Sequence, residues 1–244
     1  MELHDILFFF LALVAEIVGT VSGFGSSILF VPLASAFFDF QIVLGITAVF
    51  HVFSNISKIY LFRKGINKEI AIKLGIPAVI FVILGAILTK YIPQQEIELG
   101  MNLIILSLAI YLLTGHHKKL KQSNQNLYAG GTVSGFLAGL IGTGGAIRGI
   151  TLAAFQLEKN AFISTSAIID FGVDFSRAGI YIYNGFFKSE YLIFMPFLIL
   201  ISILGTYLGK RILEYLSEKL FQIILLSIIC LTAGVQLVHY FFNC

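Results

Sequence analysis

The residues of this chain that could hold or move charge fall into two matching sets, each embedded in apolar sequence. Two glycine runs stand out, SGFGSSILFVP over Ser22–Pro32 and IGTGGAIRGIT over Ile141–Thr151. Gly25-Ser26-Ser27 opens an apolar stretch reaching about Phe38, and Gly144-Gly145-Ala146 opens one reaching about Leu157. A helix starting at such a run leaves backbone N–H groups unpaired and carries partial positive charge at that end. Glycine lets a ligand approach the backbone, so the chemistry on offer is anion binding. Ser26 and Ser27 add hydroxyl donors. Arg148, four residues after Gly144 in apolar sequence, adds a full charge and a planar fork suited to oxyanions. The competing roles are tight helix packing for the glycines and an ion pair with Glu16 or Asp170 for Arg148.

Two polar stripes follow. Thr47, His51, Asn55 and Lys58 recur at helical spacing, and so do Ser166, Asp170, Asp174 and Arg177. A single polar face on an apolar helix looks inward rather than at lipid. Asp170, Asp174 and His51 are candidates to carry protons. The alternatives are an Asp174–Arg177 pair and a bond from Asn55 across helices. Glu16, a further acid in apolar sequence, ranks below them.

The elements that position these residues repeat. A shift of 119 residues lays Gly23 on Gly142, Gly25 on Gly144, Ile28 on Ile147, Ala48 on Ala167, Lys58 on Arg177 and Pro77 on Pro196. Irregular backbone at membrane depth survives only inside protein or beside a cavity. Paired interruptions in two halves therefore point to a transporter's binding site.

The membrane itself follows from composition. The 244 residues are 58% hydrophobic and 12% charged, too few charges to coat a soluble globule, which carries about 25%. The predicted fold is an all-α polytopic membrane protein of two inverted repeats, each a broken helical hairpin plus three full transmembrane helices. The first repeat, 1–115, holds a hairpin over 6–38 and spans at 42–62, 70–89 and 97–115. A linker covers 116–126. The second repeat, 127–244, holds a hairpin over 127–157 and spans at 161–183, 191–208 and 220–242. Orientation comes from Lys and Arg. If each broken stretch crosses an even number of times, Arg63, Lys64, Lys68, Lys118, Lys119, Lys121, Lys159, Lys210, Arg211 and Lys219 share one side, the cytoplasm. Both termini then lie outside. Pro77 and Pro196 are expected to kink matching spans.

The net charge of +3 sits in short loops and calls for no nucleic acid. Met1–Asp5 lacks the basic start of a signal peptide, so the first hydrophobic segment is expected to be retained. Cys230 and Cys244 form no disulfide framework. There is no zinc spacing and no Walker motif; neither metal nor cofactor is expected.

With GFGSSILFVP, GTGGAIRG, Thr165-Ser166-Ala167 and the duplicated architecture in view, the chain resembles the sulfite exporter TauE/SafE family of membrane permeases over nearly its whole length. It looks like a divergent subgroup: Gly25-Ser26-Ser27 stands where many members have three glycines, Thr151 where they have proline, and Arg148 at a usually apolar place. The resemblance implies transport of sulfite, organosulfonates or related carboxylates across the cell membrane, coupled to an ion gradient.

The expected function is a secondary transporter, an exporter of a small anion. Substrate-binding candidates are Gly23, Gly25, Ser26, Ser27, Gly142, Gly144, Gly145, Arg148, Thr165 and Ser166. Coupling or gating falls to His51, Asn55, Asp170, Asp174 and Arg177. The expected partners are the solute and the bilayer. An anion channel would use the same motif, and an intramembrane hydrolase could use Ser22, Ser26 or Ser27 with His51 as base, or Asp170 and Asp174 as a dyad.

Overall fold

In the computed structural model, which describes residues 3–63, 65–113, 121–215, 217 and 234, every regular element is helical. The helices are α1 (Leu3–Ser22), α2 (Ser27–Ala34), α3 (Phe40–Leu61), α4 (Lys68–Leu88), α5 (Gln94–Leu113), α6 (Asn124–Ile141), α7 (Gly145–Ala153), α8 (Lys159–Tyr183) and α9 (Met195–Tyr215). The predicted span at 220–242 lies outside the described residues, Gly234 excepted, as does the linker up to residue 120.

Among the described residues, four stretches are long and apolar enough to cross a bilayer: Leu3–Ser22, Phe40–Leu61, Lys68–Tyr91 and Ser189–Tyr215. Helix α8 has 25 residues, about 37 Å at ~1.5 Å per residue, but its ionisable residues lower its hydropathy. Asp174 and Arg177 are buried there. The exteriors are apolar instead. Ile72, Ile76, Ile80 and Ile87 form an exposed stripe along α4, an arrangement suited to lipid rather than water.

Each broken stretch is a long helix followed by a short one. Gly23 and Gly25 take positive φ, 69° and 87°, and stop α1. Helix α2, only 8 residues, then turns back along it. Phe30 meets Phe8 at 5.7 Å and Phe37 meets His4 at 4.8 Å, so the stretch begins and ends on one side. In the second half Ser123 caps α6 by accepting from the Asn126 N–H, and Gly142, at φ 77°, ends it. Helix α7 returns, and Gly130 of α6 lies against Thr151.

The halves interlock. Helix α1 packs along α9 of the other half, and α6 along α4. Glycines make both seams. A Cβ at Gly131, Gly135 or Gly139 would strike the carbonyl oxygens of Leu74, Ala78 and Val82 in turn. Across the molecule Gly205 faces Glu16 and Gly209 faces Thr20. Backbones this close are the usual basis of helix association in lipid. Helix α3 packs antiparallel to α8, its match: Gly45 lies against the Phe186 carbonyl, and Gly65, past α3, against Ala161 at the start of α8. The prolines differ from expectation. Pro77 is inside α4, whereas Pro196 is in the first turn of α9, where a missing N–H costs nothing.

Candidate functional site

The two glycine tips meet. The Phe24 carbonyl lies against Gly145, the Phe24 ring packs on Gly149, and Ser27 Oγ donates to Thr143 Oγ1 at 3.4 Å. Any side chain at Gly144 or Gly145 would collide with the carbonyls of Ser134 or Phe24, so these glycines serve close packing. Gly25 is different. A Cβ there would find only Arg148 Nη2 at 3.6 Å and Ser27 Oγ at 3.9 Å. It is needed for its positive φ, and it leaves the backbone open. Neither α2 nor α7 has a side-chain cap on its N-terminus, although Ser26 occupies the N-cap of α2.

Three ion pairs surround the tips. Arg148 Nη1 lies 2.5 Å from Asp170 Oδ1, and its Nε donates to Ser166 Oγ at 3.1 Å. Arg177 binds Asp174 at 2.7 Å and donates through Nη1 to the carbonyls of Ala138 and Gly142, at 3.0 and 2.6 Å. It thereby neutralises the C-terminus of α6, where a cation is favoured. Lys58 Nζ lies 2.9 Å from Glu16 Oε1. Asn55 Nδ2 donates to Asp174 Oδ2 at 2.7 Å, joining two residues that are 119 apart in sequence. The bond therefore links equivalent positions of the 119-residue repeat.

A small polar cavity lies between these groups, lined by Gly25, Ser26, Ser27, His51, Ser54, Asn55, Lys58, Ala138, Gly142, Gly144, Gly145, Arg148, Asp170, Val173, Asp174 and Arg177. Its free space is about 10 Å³, room for about one water. A multi-atom oxyanion does not fit this closed form. Each of the three cations in its wall has a carboxylate partner, Arg148 and Arg177 within the wall and Lys58 on Glu16 behind it, so these pairs balance without a ligand.

Thirteen of the fifteen predicted residues line this cavity or touch its wall. Ser166 does so through Arg148. Gly23 does not: it packs under Phe162. Thr165 does not either, because its hydroxyl accepts from the Asn67 N–H at 3.0 Å and ties α8 to the start of α4. Glu16 and Lys58 hold a larger place than their spacing indicates, and Ser54, which spacing did not single out, joins them. Glu16 is completely buried. Its Oε1 accepts from Ser54 at 2.6 Å, Thr206 at 3.0 Å and Thr20 at 3.2 Å, and its Oε2 accepts from Ser26 at 2.7 Å. The visible signal was Thr20 one turn beyond Glu16, and Ser54 one turn before Lys58.

Ser26 Oγ also lies 2.9 Å from His51 Nε2. The order is Glu16–Ser26–His51. A nucleophilic triad puts the acid on the histidine, leaving the serine proton for the imidazole; here the serine proton goes to the carboxylate.

Compared with known proteins, residues 8–236 match the family described as sulfite exporter TauE/SafE. A probable membrane transporter protein of Methanocaldococcus jannaschii is 29% identical over 241 residues, covering 88% of this chain and 89% of its own. No solved structure gives a significant match.

Proposed function

The chain belongs to the sulfite exporter TauE/SafE family and is a multi-pass membrane transporter, and from that premise we propose that it is a secondary exporter of a small oxyanion-bearing solute: sulfite, an organosulfonate or a related carboxylate. One observation carries this reading. Two uncapped helix N-termini and three buried cations converge on one cavity between interlocked halves.

In this account the closed cavity is an occluded state. Asp170 holds the place of the solute on Arg148. An arriving anion takes over the guanidinium fork, with Ser166 and the first N–H groups of α2 and α7 completing its shell. Asp170, His51 and Asp174 gate the exchange. Movement is a rocking of the α1–α9 and α4–α6 seams about the α3–α8 pair. The antiparallel course of α3 and α8 supports inverted repeats. The crowding of Lys and Arg into alternate loops supports termini outside and the 116–126 linker in the cytoplasm.

The test is sulfite efflux from proteoliposomes. Wild-type protein should release sulfite, and Arg148→Ala should not, while still eluting as a folded species. Normal efflux from Arg148→Ala removes that residue from the binding place. Unitary currents in a planar bilayer would replace the transporter reading with a channel.

A further inference from the structure

The transport reading leaves one buried cluster without a task. Glu16 sits where α1, α3 and α9 join, with four donors on Oε1 and one on Oε2. With Glu16 ionised, these bonds run in one direction. Lys58 Nζ donates to Ser54 Oγ at 2.8 Å, and Ser54 donates on to Glu16. Ser26 has one proton and gives it to Glu16 Oε2, so His51 Nε2 must be the donor to Ser26 Oγ. A continuous line of hydrogen bonds therefore runs from the cavity to a carboxylate that does not line it: His51 Nε2–H to Ser26 Oγ–H to Glu16 Oε2. Lys58, held by that same carboxylate, does line the cavity.

We infer that Glu16 is the proton-binding site that couples this transporter, loaded through His51 and Ser26, and that its protonation frees Lys58 to bind the anion. The inference rests on the transport reading above and adds the coupling ion and a second cation for the solute. The step balances. His51 Nδ1 takes a proton from the cavity, Nε2–H passes to Ser26 Oγ, and the Ser26 hydroxyl proton passes to Glu16 Oε2. One proton is taken up and the carboxylate becomes the neutral acid. His51 is left as the Nδ1–H tautomer and Ser26 as a hydroxyl. No electrons move. Lys58 then loses its counter-charge at a wall of the cavity, and an anion is the group that restores it.

The surroundings leave Glu16 a short set of charged neighbours. Lys58 and His51 face it from α3. Ser26 at the tip of α2 and Thr206 on α9 offer hydroxyls only. Among the described residues of α9, the cations are engaged elsewhere, Lys210 on the Leu61 carbonyl and Arg211 on Tyr207 and Glu214. Across the cavity Arg148 and Arg177 are paired with Asp170 and Asp174. Glu16 has a mechanical role as well. A Cβ on Gly205 would lie 2.8 Å from its side chain, so a change of charge at Glu16 acts directly on the α1–α9 seam. In the second half Gly135 stands at the position of Glu16 and Gly145 at that of Ser26. The relay thus exists in one repeat only.

Infrared difference spectroscopy of the full-length protein in lipid, stepped from alkaline to acid pH, tests this. The expected result is a carboxylic-acid C=O band in wild type that is missing in Glu16→Gln and grows when sulfite is added at fixed pH. Absence of the band, or its persistence in Glu16→Gln, overturns the inference. Should Glu16→Gln fail to fold, Ser26→Ala decides, because it leaves the Glu16–Lys58 pair in place. After a pH jump its band should rise about a hundredfold more slowly, and Ser26→Thr should restore the rate. A wild-type rate in Ser26→Ala sinks the relay. Sulfite flux measured alongside separates the two readings. A Glu16 band without sulfite movement rejects the choice of solute, and sulfite movement without the band rejects the coupling.

Discussion

Exchanging Arg148 for methionine should destabilise the protein by about 3–5 kcal/mol, the usual cost of leaving one member of a buried ion pair alone. The geometry places this pair in the buried class. Its atoms are 2.5 Å apart, and the side chains are 3% and 14% exposed. An exposed pair would be worth only about 0–1 kcal/mol. Asp170→Leu should cost a similar amount, since among the described residues Arg148 would keep Ser166 alone as a side-chain partner. The double change, Arg148→Met with Asp170→Leu, removes both charges and should lie within about 1–2 kcal/mol of wild type. Denaturant unfolding in detergent supplies the four stabilities, and sulfite efflux supplies the four activities. The double variant is expected to be stable and inactive, because the guanidinium it lacks is the proposed partner of the solute. Additive losses of stability would refute the assigned pairing. A stable double variant that still exports sulfite would show that Arg148 is only a structural cation.

Two more outcomes follow from the packing. Gly135→Leu should destabilise by about 1–3 kcal/mol or more, because its Cβ would enter the Ala78 carbonyl; Gly179→Ala, with nothing within 4 Å, should be tolerated, and yields of monodisperse protein compare the two. Thr165→Val should lose the bond from the Asn67 N–H, about 1 kcal/mol, and leave efflux unchanged, whereas Ser166→Ala should slow efflux by loosening Arg148; equal effects on efflux would return Thr165 to the site.

Much of the site could be read from the chain, for a physical reason. Apolar sequence makes every polar residue conspicuous, and helical spacing assigns it a face. His51, Asn55, Asp170, Asp174 and Arg177 were visible in that way, and they all line one cavity. The glycine tips were visible because breaks in a membrane helix are costly. What spacing cannot give is the partner across helices. Arg148 could have met Glu16 or Asp170, and it meets Asp170. Glu16 ranked low because one acid near a terminus could be wet, yet four helical segments close around it. Thr165 sat beside Ser166 in a motif, but adjacent residues on a helix point about 100° apart, and only Ser166 reaches Arg148. The α4–α6 seam was written as glycines at every fourth residue, Gly131, Gly135 and Gly139. A constant shift of 119 also misled where the halves differ: Pro77 and Pro196 align in sequence, but they stand at different depths of their helices.

The most direct measurement is a crystal structure of the protein soaked in selenite, the heavier analogue of sulfite, with the selenium located by its anomalous signal. One peak is expected between Gly25 and Gly145, within hydrogen-bond reach of Arg148, with the Asp170 carboxylate moved off the guanidinium. A peak confined to the pocket beside Arg63 and Lys210, lined by Tyr60, Phe62 and Asn160, or ordered tips with no anion between them, would contradict it.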